Sequence, residues 1–375
     1  MASARRAVLL APFALPALAV LLAFGVCALA ILALGRSPLL AAEALAAGGL
    51  GGLGPLGESA LKATALTLTG LAVALPFAAG LFNIGAQGQF LIGALAAAWA
   101  GRAFNLPAPI ELPLVLAFAA LQGALYGLLA GVLKVSRGVH EVLSTILLNW
   151  VAIHLINSWL VAGPLHAAGT GGFSHSGTEA VRAAAELPLL AGAESRLNAG
   201  VFLALGAAAA VAFLLRRTPF GLELRAIGAS PETARSVGIP VGRRTMQAMA
   251  LGGGLAALAG AAMILGGGTD FRYPENYRDP YGFDGIAVAL IGAGHPLGVV
   301  LTAALFGVLR AGAVRLQDPA IGLHRSWPDI AQGVAVVFVA GQWRLRGLWR
   351  LPRSLWRRAR AEAEGPEHSR AGGDA

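Results

Sequence analysis

Charge is scarce in this chain, and lysine is nearly missing. Charged residues are 13% of its 375, about half the share of an average soluble domain. The only lysines, Lys62 and Lys134, each follow a leucine. No Gly-Lys-Ser/Thr phosphate loop therefore exists, and the chain has no nucleotide-binding engine of that kind. One cysteine, Cys27, excludes an intrachain disulfide and a cysteine-rich metal cluster. Neither the G-x-S-x-G nucleophile elbow nor a His-Glu-x-x-His pair occurs, and the seven histidines are scattered. The sequence points to no catalytic residue and no metal ligand.

What is there belongs in lipid. Hydrophobic residues make up 57% of the chain, mean hydropathy is +0.69, and the 51 glycines are roughly twice the ordinary frequency. Small residues let helices approach closely where no hydrophobic force drives them together. We expect an all-α integral membrane protein. An isoelectric point near 10.9 is compatible with nucleic acid, but orienting arginine on an inner membrane face explains it better, so membrane lipid and no nucleic acid is expected.

Along the chain, Met1 to Leu34 opens with Arg5 and Arg6, followed by an apolar run that is too long for a signal-peptide core. It reads as an anchor, and Gly35 to Ser59, rich in Gly and Pro, as an external connection. Further spans are expected over Ala60 to Leu81, up to Gly101, Glu111 to Leu133, Val142 to Ala162, Leu197 to Leu215 and Met246 to Leu265. Gly163 to Arg196 and Gly266 to Tyr281 are too polar or too broken to cross. Gly282 to Pro296 is apolar for about ten residues against about 20 for a crossing, which predicts a discontinuous or re-entrant helix. Leu297 to Leu309 and Ile330 to Val339 lie at the cores of the last two spans. About ten segments result, with residues 1–59 as anchor and external loop, 60–342 as the main membrane domain, and 343–375 as a basic tail with a disordered end.

Eighteen of the 28 Lys and Arg fall on one face if both termini lie on the same side. That bias places the termini in the cytoplasm. Asn83 to Ala98 and Leu290 to Gly307 each interrupt an apolar run with Gly and polar groups and then resume as small-residue helix. Their positions in two halves of opposite orientation suggest an inverted repeat with broken helices along a central path. Shared Gly and Ala composition is the competing explanation.

A compact polar stretch between apolar blocks is Thr218 to Ile239, TPFGLELRAIGASPETARSVGI. Ser230 suits an N-cap, Pro231 the first helical position, Glu232 the positive helix end and Gly238 the stop. Gly221 to Ile227 suits another short helical piece ended by Gly228. A capped helix beside Arg225 and Arg235 makes a rigid knob suited to a cleft on a soluble protein, and an ordinary arginine-rich loop is the alternative.

Four stretches carry a resemblance: Leu81 to Ala96 (LFNIGAQGQFLIGALA), Glu141 to Asn149 (EVLSTILLN), Thr218 to Ile239, and Gly282 to Gly298 (GFDGIAVALIGAGHPLG). Over about Ala60 to Ala340 the chain resembles permease subunits of bacterial ABC importers in the branched-chain amino acid and simple-sugar group, and within it the nucleoside permeases. The resemblance implies a multi-pass subunit of the bacterial cytoplasmic membrane whose coupling helix docks on a separate ABC ATPase. It also implies an extracytoplasmic binding protein or lipoprotein that delivers substrate, and a second permease subunit, often a non-identical homologue, that completes the path. ATP is then used by the partner, and this chain is not an enzyme and binds no cofactor. The matching coupling positions are Gly221, Arg225, Ala226, Gly228, Glu232, Ala234, Arg235 and Gly238. Phe82, Asn83, Gln87 and Gln89 at the first break, Asn149, and Asp284 and His295 framing the second are candidates for the substrate path. Asn149 and Asn157 also suit interhelical hydrogen bonds, and Asp284 and His295 suit helix capping. Simple sugars or branched-chain amino acids are alternative substrates, and a gradient-driven carrier is the alternative class.

Overall fold

The computed structural model describes residues 2–167, 177–192 and 194–349. Among them are thirteen α-helices: α1 Ala2–Ala33, α2 Pro38–Leu50, α3 Leu53–Phe77, α4 Ala86–Ala103, α5 Ala108–Arg137, α6 Glu141–His154, α7 Gly200–Arg217, α8 Pro219–Ala229, α9 Pro231–Ser236, α10 Val241–Leu265, α11 Tyr281–Ile291, α12 Pro296–Gly312 and α13 Trp327–Trp349. A π-helix, Leu155–Val161, extends α6. Seven of these segments are long and apolar enough to cross a membrane, while α2, α11 and the described apolar part of α13 are shorter. With α4, α11 and α13 added to the seven, the helices cover the ten segments expected. The arginine-rich tail and its expected disordered end lie outside the described residues from 350 onward.

Helices α3 and α10 form the centre and are buried along most of their length. From Ala63 in α3 and Ala248 in α10 onward, both are apolar or small on every side, as a helix enclosed all round must be. Packing on them follows an exchange. Helices α4 and α5 lie on α10, where Gly93 meets Ala257 and Gly123 meets Gly253. Helices α11 and α12 lie on α3, where Gly285 meets Thr69 and Gly307 meets Ser59 and Ala63. At these contacts a β-carbon has no room, which is why small residues occupy them.

The halves α3–α6 and α10–α13 thus use the same pairings, and in each the second helix begins after a stretch of irregular backbone. Helix α4 therefore corresponds to α11, and α5 to α12. The expected match of Asn83 to Ala98 with Leu290 to Gly307 sets α4 against α12 and is corrected here. Glycine and alanine content makes any two of these helices look alike, whereas helix-to-helix contacts distinguish them.

The segment expected as an external connection also differs, because α2 occupies much of it. Ser37 caps this helix, its Oγ accepting from Leu40 N at 3.4 Å, and Gly48 and Gly49 press on Gly312 and Val308 of α12. Its glycines serve a close helix contact rather than a loop.

Candidate functional site

The first break runs from Ala78 to Gly85, between α3 and α4. Its amides are buried and bonded. Asn83 Nδ2 donates to Gln89 Oε1 at 2.9 Å and to the Ala72 carbonyl at 3.3 Å, and Gln89 Nε2 donates back to Asn83 Oδ1 at 3.2 Å. Asn149 of α6 reaches in from the side, accepting from Gly88 N and donating to the Ile84 carbonyl, both at 2.8 Å. Gln87 crosses to the other half: its Nε2 donates to the Asp279 carbonyl at 3.0 Å and its Oε1 accepts from Gly282 N at 2.9 Å. The first turns of α4 and α11 therefore meet at one place inside the bundle. Irregular backbone at membrane depth requires such internal partners. Phe82 is half-buried and stands edge-on to Phe77, with ring centroids 6.0 Å apart.

Around the start of α11 lies an aromatic column. Tyr273 packs on Tyr277, Tyr277 on Phe90 and Phe90 on Tyr281, at centroid distances of 5.5, 5.9 and 5.7 Å. Tyr273 Oη donates to Asn157 Oδ1 at 3.2 Å in the π-helix, so Asn157 is satisfied inside the bundle. The Arg310 guanidinium of α12 sits 5.5 Å from the Tyr281 ring centre. It pairs with Asp284 at 2.6 Å and with Asp329 at 2.9 Å, and Gln332 Nε2 donates to Asp284 Oδ1 at 3.4 Å. Arg310, Asp329 and Gln332 were missed in the sequence reading. The signal available for Arg310 is a charge inside an apolar run, which demands a partner in the membrane.

His295 stands apart from that cluster, at the turn before α12. Its Nδ1 accepts from Leu297 N at 3.1 Å, so it caps the helix. The Arg216 guanidinium at the end of α7 contacts its Nε2. Burial, and then the Arg216 charge, hold the imidazole below its ordinary pKa. Asp284 and His295 thus lie at opposite ends of α11 and do not form one site.

Segment 218–239 folds as two capped helices. Thr218 Oγ1 accepts from Gly221 N at 3.2 Å to start α8, and Ser230 Oγ accepts from Thr233 N at 3.3 Å to start α9, with Pro231 in the first turn. Gly238 has φ of +85°, the left-handed stop expected of it. Gly228 does not end the first helix, which runs on to Ala229. Its α-carbon instead lies against the Ala78 carbonyl at the head of the break, a contact that a β-carbon would block. Gly221 and Ala234 are buried, Ala226 is half-buried, and Arg225, Glu232, Arg235 and Gly238 are exposed.

Arg244, in α10, bonds Glu223 and lies 5.3 Å from the Phe220 ring centre, tying α8 to the bundle. That bond holds the Glu223 carboxyl below its usual range. Two apolar side chains point away from the bundle, Leu222 (62% exposed) and Val237 (69% exposed). Their signal in the sequence is helical spacing: Gly221, Leu224 and Ile227 share the buried face, which leaves Leu222 opposite.

A family model described as branched-chain amino acid transport system / permease component matches residues 56–340. The chain belongs to this permease family. It is 38% identical over 337 residues to the guanosine ABC transporter permease protein NupP of Bacillus subtilis, covering 88% of this permease and 94% of the relative. To the glucose ABC transporter permease protein TsgB13 of Haloferax volcanii it is 35% identical over 333 residues, 86% of each chain. To the nucleoside ABC transporter permease protein NupB of Lactococcus lactis it is 31% identical over 329 residues, 86% of this permease and 88% of the relative. No solved structure matches. The permease is therefore a multi-pass, all-α membrane protein, and its matched span contains the break, the α11 cluster and segment 218–239.

Proposed function

We propose that this permease is the membrane-spanning subunit of an ATP-driven importer of nucleosides in a bacterial cytoplasmic membrane, with both termini in the cytoplasm. The observation that carries the substrate is the 38% identity to a guanosine permease over nearly the full length of both chains. The arginine bias supports the orientation.

Helices α8 and α9 are the coupling element. Arg235, Glu232 and the exposed Leu222 and Val237 face a cytoplasmic ABC ATPase that binds and hydrolyses the ATP. Gly228, held against Ala78, passes movement of α8 to the first break. Asn83, Gln87, Gln89 and Asn149 act on the path by fixing the shape of the backbone there. Phe82 adds an aromatic wall, and Asp284 and His295 set the two ends of α11.

A second permease subunit, a non-identical homologue, packs on the α6 and α13 faces. On α6, Trp150 is 57% exposed and stacks on an exposed His154, a polar side chain poorly suited to hydrocarbon. On α13, Val337 is 71% exposed. An extracytoplasmic binding protein supplies substrate from the other side.

Uptake by the assembled transporter in liposomes tests the substrate. Saturable, ATP-dependent entry of labelled guanosine, competed by other nucleosides and not by glucose, is expected. Glucose uptake indifferent to nucleosides would instead favour the sugar reading, for which the 35% identity to a glucose permease speaks.

A further inference from the structure

Three spans end around one cavity on the face that carries α8. Phe77 closes α3, Arg216 lies in the last turn of α7, and Pro296 opens α12; all three line a space of about 290 Å³ together with Arg225 of α8 and His295. We propose that this cavity holds the phosphate of an anionic phospholipid. The inference requires only that the permease spans a membrane, and it stands whether or not α8 couples to an ATPase.

Charge is the first reason. Arg102, Arg196, Arg244 and Arg310 each pair with a carboxylate. Among the described residues neither Arg216 nor Arg225 does, although both line this cavity. Arg216 also contacts His295 Nε2, and this pair lines the cavity beside Arg225. The amino end of α12 favours an anion as well.

Depth is the second reason, and it selects lipid. The cationic groups sit where the spans end, at the level of headgroups. Ala74, Ala212 and Leu215, about one turn or less further along their helices, make the remaining wall apolar. A charged rim over an apolar wall at a bilayer boundary matches a phosphate followed by its glycerol and acyl chain. The apolar side chains offered to a soluble protein, Leu222 and Val237, are not among the residues that line the cavity.

Native mass spectrometry of the full-length permease in detergent, titrated with phosphatidylglycerol or phosphatidylcholine, tests this. The expected result is retention of the first at least fivefold tighter than the second. Arg216→Gln and Arg225→Gln each reduce that preference below twofold, while Arg216→Lys and Arg217→Gln keep most of it. Equal retention of the two lipids by the unmodified chain overturns the proposal. So does a loss in Arg217→Gln as large as in Arg216→Gln, which means diffuse surface charge. Displacement of phosphatidylglycerol by millimolar inorganic phosphate assigns the site to a soluble anion and overturns the lipid. Unchanged lipid preference in the glutamine variants, with loss of ATPase binding, assigns the arginines to a partner protein and overturns it as well.

Discussion

Gln87 and Gly282, 195 residues apart, are joined by a hydrogen bond of 2.9 Å from the backbone of one half of the permease to a side chain of the other. The same amide holds the Asp279 carbonyl at 3.0 Å. One side chain thus satisfies two backbone groups at the start of α11, and it does so from the first turn of α4. The starts of α4 and α11 are positioned by each other.

Replacing Gln87 with leucine removes both bonds and leaves the buried Gly282 N–H without an acceptor. An unsatisfied buried group costs about 1–3 kcal/mol. Thermal unfolding of the purified protein is expected to show a clearly lowered Tm, with uptake reduced in parallel. A Tm equal to that of the parent means that the amide is not needed to join the halves.

The Asp284–Arg310 pair is largely enclosed, its side chains 14% and 13% exposed. Removing one partner from a buried pair costs about 3–5 kcal/mol, whereas replacing both with apolar residues is often neutral. Asp284→Leu and Arg310→Leu are each expected to lower Tm strongly, and the double variant to recover most of the loss. Additive losses in the double variant would show that the two residues act separately.

Leu222→Glu with Val237→Glu changes only exposed positions of α8 and α9. Tm and membrane insertion are expected to stay as in the parent, while ATP-driven uptake falls more than tenfold and the ATPase no longer co-purifies. Retained uptake in this variant sinks the docking face.

Glu223 is held below its ordinary pKa of 4.5 by its bond to Arg244. A depressed carboxylate adds stability above its unfolded pKa and loses it as the pH falls through the lower folded value. Attachment of α8 to α10 is therefore expected to persist from neutral pH to about pH 4.5 and to weaken below it. Hydrogen exchange of the α8 amides, corrected for the intrinsic rate, follows this directly; Glu223→Gln should show the weakened state already at pH 7. Equal protection of α8 in Glu223→Gln and the parent rules the link out.

Much of the permease was legible because it is local. Apolar length marked the spans and showed that α11 is too short to cross. Ser230, Pro231 and Gly238 announced α9 and its stop, since a cap acts within one turn. The stop proposed at Gly228 failed because that glycine answers to Ala78, about 150 residues earlier. Helix α2 read as a connection for the same reason: Gly48 and Gly49 look like loop residues until α12 lies on them.

The sequence by itself determined that the chain is a helical membrane protein without a Gly-Lys phosphate loop, where its breaks fall and which segment between spans is capped. Hydropathy, capping and missing motifs need only neighbouring residues. Tertiary structure alone decided that α4 answers to α11, that Arg310 neutralises Asp284, that the amides of the break bind backbone, and that Arg225 lines a cavity with Arg216 and His295. Those outcomes depend on distances between residues far apart in the chain, and in a bilayer such contacts are selected by close packing and polar satisfaction rather than by hydrophobicity, which is nearly uniform along these helices.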